Sequence, residues 1–272
     1  MVSTPRIRQE VPRRAPTWSQ MLEFALAAAA AIVARLLGWL TNSGAVAAAL
    51  VGGAILHFGG PSWAAALLAF FVSGSALTMV GRRQKTQPEH RGRGRSAAQV
   101  IGTAGVSAIA SVLWGTGVLP EEVHAVMPAA FLGALATSAA DTWATELGML
   151  SRHPPRLFTT GAYVPAGTSG GVTLVGSLAG IAGAILVSAI GAQGQPRVFT
   201  AAWVAGALAM FIDSLLGATV QPSFRRPDGT VTEEPTEGAV LTRGTPWLTN
   251  PMVNLLATMA GAVIAGVLAA WW

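Results

Sequence analysis

The chain contains no cysteine, which excludes disulfides, thiolate nucleophiles and sulfur-ligated zinc or iron. Charge is nearly as scarce. Only 11% of the 272 residues are Asp, Glu, Lys or Arg, against about 25% in a typical globular domain. Lysine occurs once, at Lys85, and the four histidines, His57, His90, His124 and His153, show no metal-ligand spacing. No nucleic-acid-binding motif is present. The net charge of +5 falls mostly in loops, where membrane topology and anionic lipid headgroups account for it.

What the chain does have is apolar length. Hydrophobic residues make up 52% of it and glycine contributes 32 positions. Apolar runs near 20–40, 62–80, 97–118, 126–149, 170–192, 199–220 and 253–272 are long enough to cross a bilayer, and a shorter run covers 44–58. The expected fold is all-α, a polytopic transmembrane bundle of about 7–8 helices, with the polar loops gathered on one face. Residues 1–17, rich in Arg and Pro, are expected to be disordered, and 18–272 to form a single transmembrane domain. The first helix reads as retained rather than cleaved, since its apolar run is too long for a signal peptide and lacks a convincing cleavage site.

If every run spans, the segments 41–44, 81–96, 150–169 and 221–252 share one face. That face carries eleven Lys and Arg residues against five on the other, so the positive-inside rule makes it cytoplasmic, in a bacterial inner membrane. The four N-terminal arginines oppose this assignment. The 221–252 stretch reads as a hairpin, a lid or disorder.

Asp141, Glu146 and Asp213 lie inside apolar helices, where an ionised group costs at least ~2.5 kcal/mol and by default marks function. Asp141 and Glu146 fall nine and four residues before the loop at 150, about 13 and 6 Å below the helix end at 1.5 Å per residue. Ser138, Asp141, Thr142 and Thr145 form one polar stripe. On a second helix Asp213 reaches the same depth, and Asp213, Gly217 and Gln221 align at successive turns, with Ser214 beside them. Two acids at matched depth beneath one face are what a divalent cation with oxygen ligands requires; a proton-relay pair or structural hydrogen bonding are the alternatives.

Around them stand a glycine-rich loop, Gly167-Thr168-Ser169-Gly170-Gly171, and a basic stretch including Lys85, Arg91 and Arg95. Such a loop can aim N–H groups at phosphate, or simply begin a helix with Thr168 or Ser169 as N-cap. Guanidinium and ammonium groups recognise phosphate. Asn42, Gln99 and Asn254 complete a polar rim on the same face.

The segments Asp141-Thr142-Trp143-Ala144-Thr145-Glu146, Pro165-Ala166-Gly167-Thr168-Ser169-Gly170-Gly171-Val172 and Asp213-Ser214-Leu215-Leu216-Gly217-Ala218-Thr219-Val220-Gln221, followed by Asn254, resemble in order and spacing an integral-membrane family. That family includes the plant phytyl-phosphate kinase of tocopherol synthesis. The resemblance runs from about residue 35 to the C-terminus; Thr103 and the position near Ala162 depart from its pattern. It implies a phosphotransferase that converts an isoprenyl monophosphate to the diphosphate, using a nucleoside triphosphate such as CTP and Mg²⁺. Asp141, Asp213 and Glu146 would hold the metal; Gly167 to Gly171, Lys85, Arg91 and Arg95 would hold phosphates. The implied partners are the isoprenyl lipid, the nucleotide and membrane lipids, with a homo-oligomer allowed. The rival expectation is a transporter or proton-coupled carrier using the same carboxylates, which the lack of an evident inverted repeat counts against.

Overall fold

The computed structural model describes residues 18–81 and 94–271; the expected disorder of 1–17 and the candidates Lys85 and Arg91 lie outside the described residues. Eight helices are present among them: α1 (Trp18–Leu36), α2 (Asn42–Ala54, continued by a π-helical turn Ile55–Gly59), α3 (Pro61–Gly81), α4 (Ala97–Thr116), α5 (Glu121–Gly148), α6 (Leu174–Gly191), α7 (Pro196–Thr219) and α8 (Asn250–Trp271). Seven helical segments, from Asn42–Gly59 to Asn250–Trp271, are long and apolar enough to cross a membrane. The short run at 44–58 is among them, because the π turn lengthens α2 to 18 residues.

The hairpin of α1 on α2 is pinned at both ends. Glu23 bonds His57 Nδ1 at 2.6 Å near one end, and Arg35 Nε donates to Asn42 Oδ1 at 2.7 Å at the other. The two helices are therefore antiparallel over their whole length, and the start of α1 lies at the end of the bundle opposite Thr41.

The bundle is organised around α5. Its residues Ala129 to Ala140 are all buried, and α3, α4, α6, α7 and α8 pack around it. Between lipid-solvated helices apolar surface gives little drive to associate, so close packing through small residues supplies it. A Cβ on Gly180 of α6 would lie 2.8 Å from the Ala140 carbonyl, one on Gly206 of α7 would lie 2.7 Å from Ala136 Cβ, and one on Gly261 of α8 would lie 2.9 Å from the Gly133 carbonyl. Three helices thus bring their backbones against α5 where only glycine fits. Cross-helix hydroxyl bonds add to this: Ser107 Oγ donates to the Phe131 carbonyl at 3.1 Å and Ser138 Oγ to the Thr103 carbonyl at 2.6 Å. At the end opposite the polar loops the interior is filled by aromatics, with Trp63 stacked on Phe131 at 4.1 Å and tilted against Trp114.

The polar loops do gather at one end of the bundle, yet they are not wholly irregular. Strands β1 (Arg156–Leu157) and β2 (Gly171–Val172) pair antiparallel; β3 (Ser223–Arg225), β4 (Val231–Thr232) and β5 (Val240–Arg243) form a three-stranded antiparallel sheet in the order β4-β3-β5. The 221–252 stretch is this sheet. Its hairpin turn is fixed by Asp228, whose carboxylate accepts from the Thr230 amide and hydroxyl and is held below its ordinary range by those bonds. Because β2 intervenes, α6 starts at Leu174 rather than near 170, and its N-cap is Thr173, accepting from the Gly176 amide at 3.0 Å, in place of Thr168 or Ser169.

Gly206→Ala is expected to lower stability by about 1–3 kcal/mol through overpacking against α5. Gly52→Ala, whose Cβ would meet only Ala27 Cβ at 3.6 Å, should be neutral or stabilising by up to ~1 kcal/mol. Thermal unfolding of the two variants in detergent distinguishes these outcomes.

Candidate functional site

The ends of six helices, α3 to α8, with the α1–α2 loop and the polar loops above them, enclose a basin of about 1210 Å³. Both acids face it, at one level. Helices α5 and α7 run in the same direction toward the polar end, and Gly206 sits on Ala136 while Met210 packs beside Ala140. That constant offset brings Asp141 level with the Phe211–Asp213 stretch. The charges of Asp141 and Glu233 both act on the Asp213 carboxylate.

Arg95 stands across the basin. Its backbone is locked from both sides, donating to the Trp39 carbonyl at 2.8 Å and accepting from the Thr41 amide at 3.1 Å, a parallel bridge between Leu40 and Arg95. Gly94 and Gly44 let the chains approach this closely, since a Cβ on either would collide with the Trp39–Leu40 backbone or the Arg95 carbonyl. The guanidinium lies 5.1 Å from the Phe70 ring centre and 5.4 Å from that of Phe71. Burial lowers its pKa to about 10, opposed by the charge of Glu146, so it remains cationic at neutral pH. Glu146 in turn accepts from the Thr78 hydroxyl at 2.7 Å. The charge of Glu146 thus acts on Arg95, beside the role toward a metal that the resemblance implies for it.

The glycine loop closes the third side. Gly167 and Gly170 have φ of +87° and +80°, conformations that side chains disfavour. Gly170 rests on Ala218 and Gly217, one turn beyond Asp213. Two of the loop's amides are spent internally: Thr168 N–H donates to the Pro165 carbonyl at 3.2 Å and Gly171 N–H to the Thr168 carbonyl at 2.9 Å. The group aimed outward is the Ser169 hydroxyl, which donates to Glu233 Oε1. Gln221, 2% exposed, donates to Ser169 Oγ at 2.9 Å and to Glu233 Oε2 at 2.7 Å.

Of the residues singled out in the sequence, the basin gathers Arg95, Gln99, Asp141, Glu146, Gly167 to Gly171, Asp213, Ser214, Gln221 and Asn254. Gln99 also serves the fold, since its side chain accepts from the Ser96 amide in a capping box. Asn42 is not on the basin wall; it is engaged by Arg35. Gln221 lies just past the end of α7 rather than on its third turn from Asp213. Sequence reasoning missed Glu233 and Thr78. Glu233 was one of several acids in a polar stretch, and only the sheet pairing brings it to the loop. Thr78 did carry a signal, as a hydroxyl near the loop end of an apolar helix.

Among the described residues no three acidic or histidine side chains form a ready-made metal cage. Mg²⁺ does not demand one, since it is commonly held by one or two carboxylates plus substrate phosphates and water. Asp213 Oδ2 and Asn254 Oδ1 are buried with no hydrogen-bond partner among the described residues. Buried polar atoms normally have partners, so these two fit a site that takes a further ligand, and Asp141 with Asp213 fits the donor set of a hard cation.

The chain can be placed among known proteins. It is 31% identical over 230 residues to the uncharacterized membrane protein MJ0933 of Methanocaldococcus jannaschii, covering 83% of this chain and 84% of that one. It is 33% identical over 209 residues to protein PGR of Arabidopsis thaliana, covering 67% and 72%. The chloroplastic protein VTE6 of the same plant is 26% identical over 233 residues, 83% of this chain and 64% of that protein. No solved structure matches. The family described as integral membrane protein DUF92 matches residues 25–262, and with nearly the whole bundle inside that span, this chain belongs to it.

Proposed function

We propose that the protein is a phosphotransferase of the membrane surface, moving the terminal phosphoryl group of a nucleoside triphosphate, such as CTP, onto an isoprenyl monophosphate. The observation that carries this reading is the pairing, in one basin, of two level carboxylates with a half-buried arginine and a glycine loop. Kinship with the phytyl-phosphate kinase supports it.

In this reaction an oxygen of the acceptor phosphate attacks the terminal phosphorus, a new P–O bond forms, and the bridging P–O bond breaks to release the nucleoside diphosphate. The reaction is largely positioning and charge stabilisation. The acceptor is already an anion at neutral pH, so no strong general base is required. Asp141 and Asp213 would hold Mg²⁺, with Asn254 beside them, and the ion would neutralise charge on the phosphates as a Lewis acid. Arg95, kept rigid by its backbone bridge and its two phenylalanines, presents a fixed cation to the acceptor phosphate. An isoprenyl tail is at home in lipid, and a basin at the helix ends lets its headgroup reach polar side chains without leaving the membrane. By the charge distribution of the loops that face is the cytoplasmic one.

A carrier finds less support. Below the carboxylates Phe131, Leu132, Leu135 and Ala136 are fully buried, and Trp63 stacks on Phe131 toward the far end, an interior that is largely apolar.

Purified protein supplied with CTP, Mg²⁺ and phytyl or geranylgeranyl monophosphate should form the diphosphate, followed by ³²P transfer. Asp213→Asn should reduce transfer by at least about 10²-fold while the protein stays folded by size exclusion. Loss of liposome uptake in place of any transfer would refute the assignment.

Arg95→Lys should cut kcat/KM by about tenfold, because lysine reproduces neither the planar fork nor the stacking of guanidinium on aromatic rings. A cation whose pKa is lowered to about 10 loses its charge as pH rises through that value. Acceptor KM is therefore expected to stay level across the neutral range and to rise only as pH approaches about 10, as steady-state kinetics at graded pH would record.

A further inference from the structure

The carboxylate of Glu233 occupies the donors that face the basin from the glycine loop. Its Oε1 accepts from the Ser169 hydroxyl and its Oε2 from the Gln221 amide, and Gln221 also donates to Ser169. Both donors are neutral and no cation among the described residues pairs with Glu233, while Asp213 and Asp141 stand on the same side of the basin. An acid beside two others, held only by neutral donors, is an unfavourable tenant on electrostatic grounds. Its two oxygens take the places that two oxygens of a phosphoryl group would take.

The location agrees. Ser169 and Gly170 rest on Gly217, one turn, about 5.4 Å, along α7 from Asp213. An anion held by Ser169 and Gln221 therefore lies within reach of a cation on the Asp141–Asp213 pair. The tenant is also carried by an element suited to leaving. β4 is a two-residue edge strand that pairs only with β3, and such short edge elements open at low cost.

Resting on the phosphotransferase reading, we propose that Ser169 and Gln221 form a phosphate subsite that Glu233 fills until an incoming phosphate displaces it. The ligand class is a phosphoryl dianion, from the nucleotide or from the isoprenyl monophosphate. The β3–β5 sheet then acts as a lid whose release accompanies binding, and removing the Glu233 charge also relieves the crowding of acids around Asp213 as the phosphate enters.

Binding can be read without turnover. Calorimetry on purified protein in nanodiscs, with Mg²⁺ present, would use pyrophosphate as the nucleotide-like probe and geranyl monophosphate as the lipid-like one. Glu233→Gln and Glu233→Ala should each tighten one of these probes by about tenfold, the scale of one charge-assisted hydrogen bond exchanged. The probe that responds identifies the phosphate concerned. Gln221→Leu should weaken the same probe, and because Gln221 is buried, hydrogen exchange provides a second measure: in the wild type, saturation with that probe should speed exchange in residues 231–243. Unchanged or weaker binding of both probes in the two Glu233 variants would overturn the proposal, as would slower exchange in the sheet. If transfer fails while these binding changes appear, the catalytic reading falls and the subsite stands; the converse pattern removes only the subsite.

Discussion

Two like charges held level with one another inside an apolar bundle are the constraint on which the site depends. Asp141 and Asp213 lie on parallel neighbours, α5 and α7, whose backbones meet through Gly206. Glycine contact sets the interhelical distance, and the distance sets how strongly the carboxylates repel. A wider separation would leave two independent buried acids, each costly. At close range they would act as a single acidic site, for which a divalent cation would be a favourable partner. The packing that stabilises the bundle and the electrostatics that shape its basin are therefore the same structural feature.

How the other charges are arranged follows from this. Arg95 and Glu146 balance each other on the α3 and α4 side, with Phe70, Phe71 and Thr78 fixing them. A cation half-buried among aromatic rings and bridged by backbone bonds has few positions open to it. Such a cation would hold an anionic ligand at low further entropic cost, as preorganised groups do. The charge of Glu146 favours that cation, which gives the third acid at the basin a role beside the one expected of it toward a metal.

The helices and their common polar end were legible because hydropathy windows and parity depend on the local chain alone. The pairing of Asp141 with Asp213 was legible for the same reason, since depth below a helix end is a count of residues. What failed to show was anything requiring a nonlocal partner. Gln99 looked like a site residue and is also a capping side chain, because the box with Ser96 is a local device that the polar context masked. Asn42 looked similar and is held by Arg35, a contact that needed the α1–α2 hairpin. Thr173 took the cap from Thr168 and Ser169 because two residues of β-pairing intervene, too short a strand to leave a periodic signal. Glu233 is the sharpest case, as its role depends on sheet register and its sequence neighbourhood is simply polar.

Charge accounting sets a condition on any phosphate chemistry in this basin. Asp141, Asp213, Glu146, Glu233 and Glu234 line it, against Arg95 among the described residues. Because Arg95 is balanced by Glu146, the remaining field is negative, and a nucleotide and a second phosphate would add several more negative charges. Coulomb repulsion between such groups at a few ångströms reaches several kcal/mol even at an effective dielectric of about 20. The reactants can be brought together only if cations come with them. A divalent ion on the aspartate pair would be one such source. Walls this acidic suit a site that is loaded with metal and anion together, and they make binding of the anion alone unfavourable.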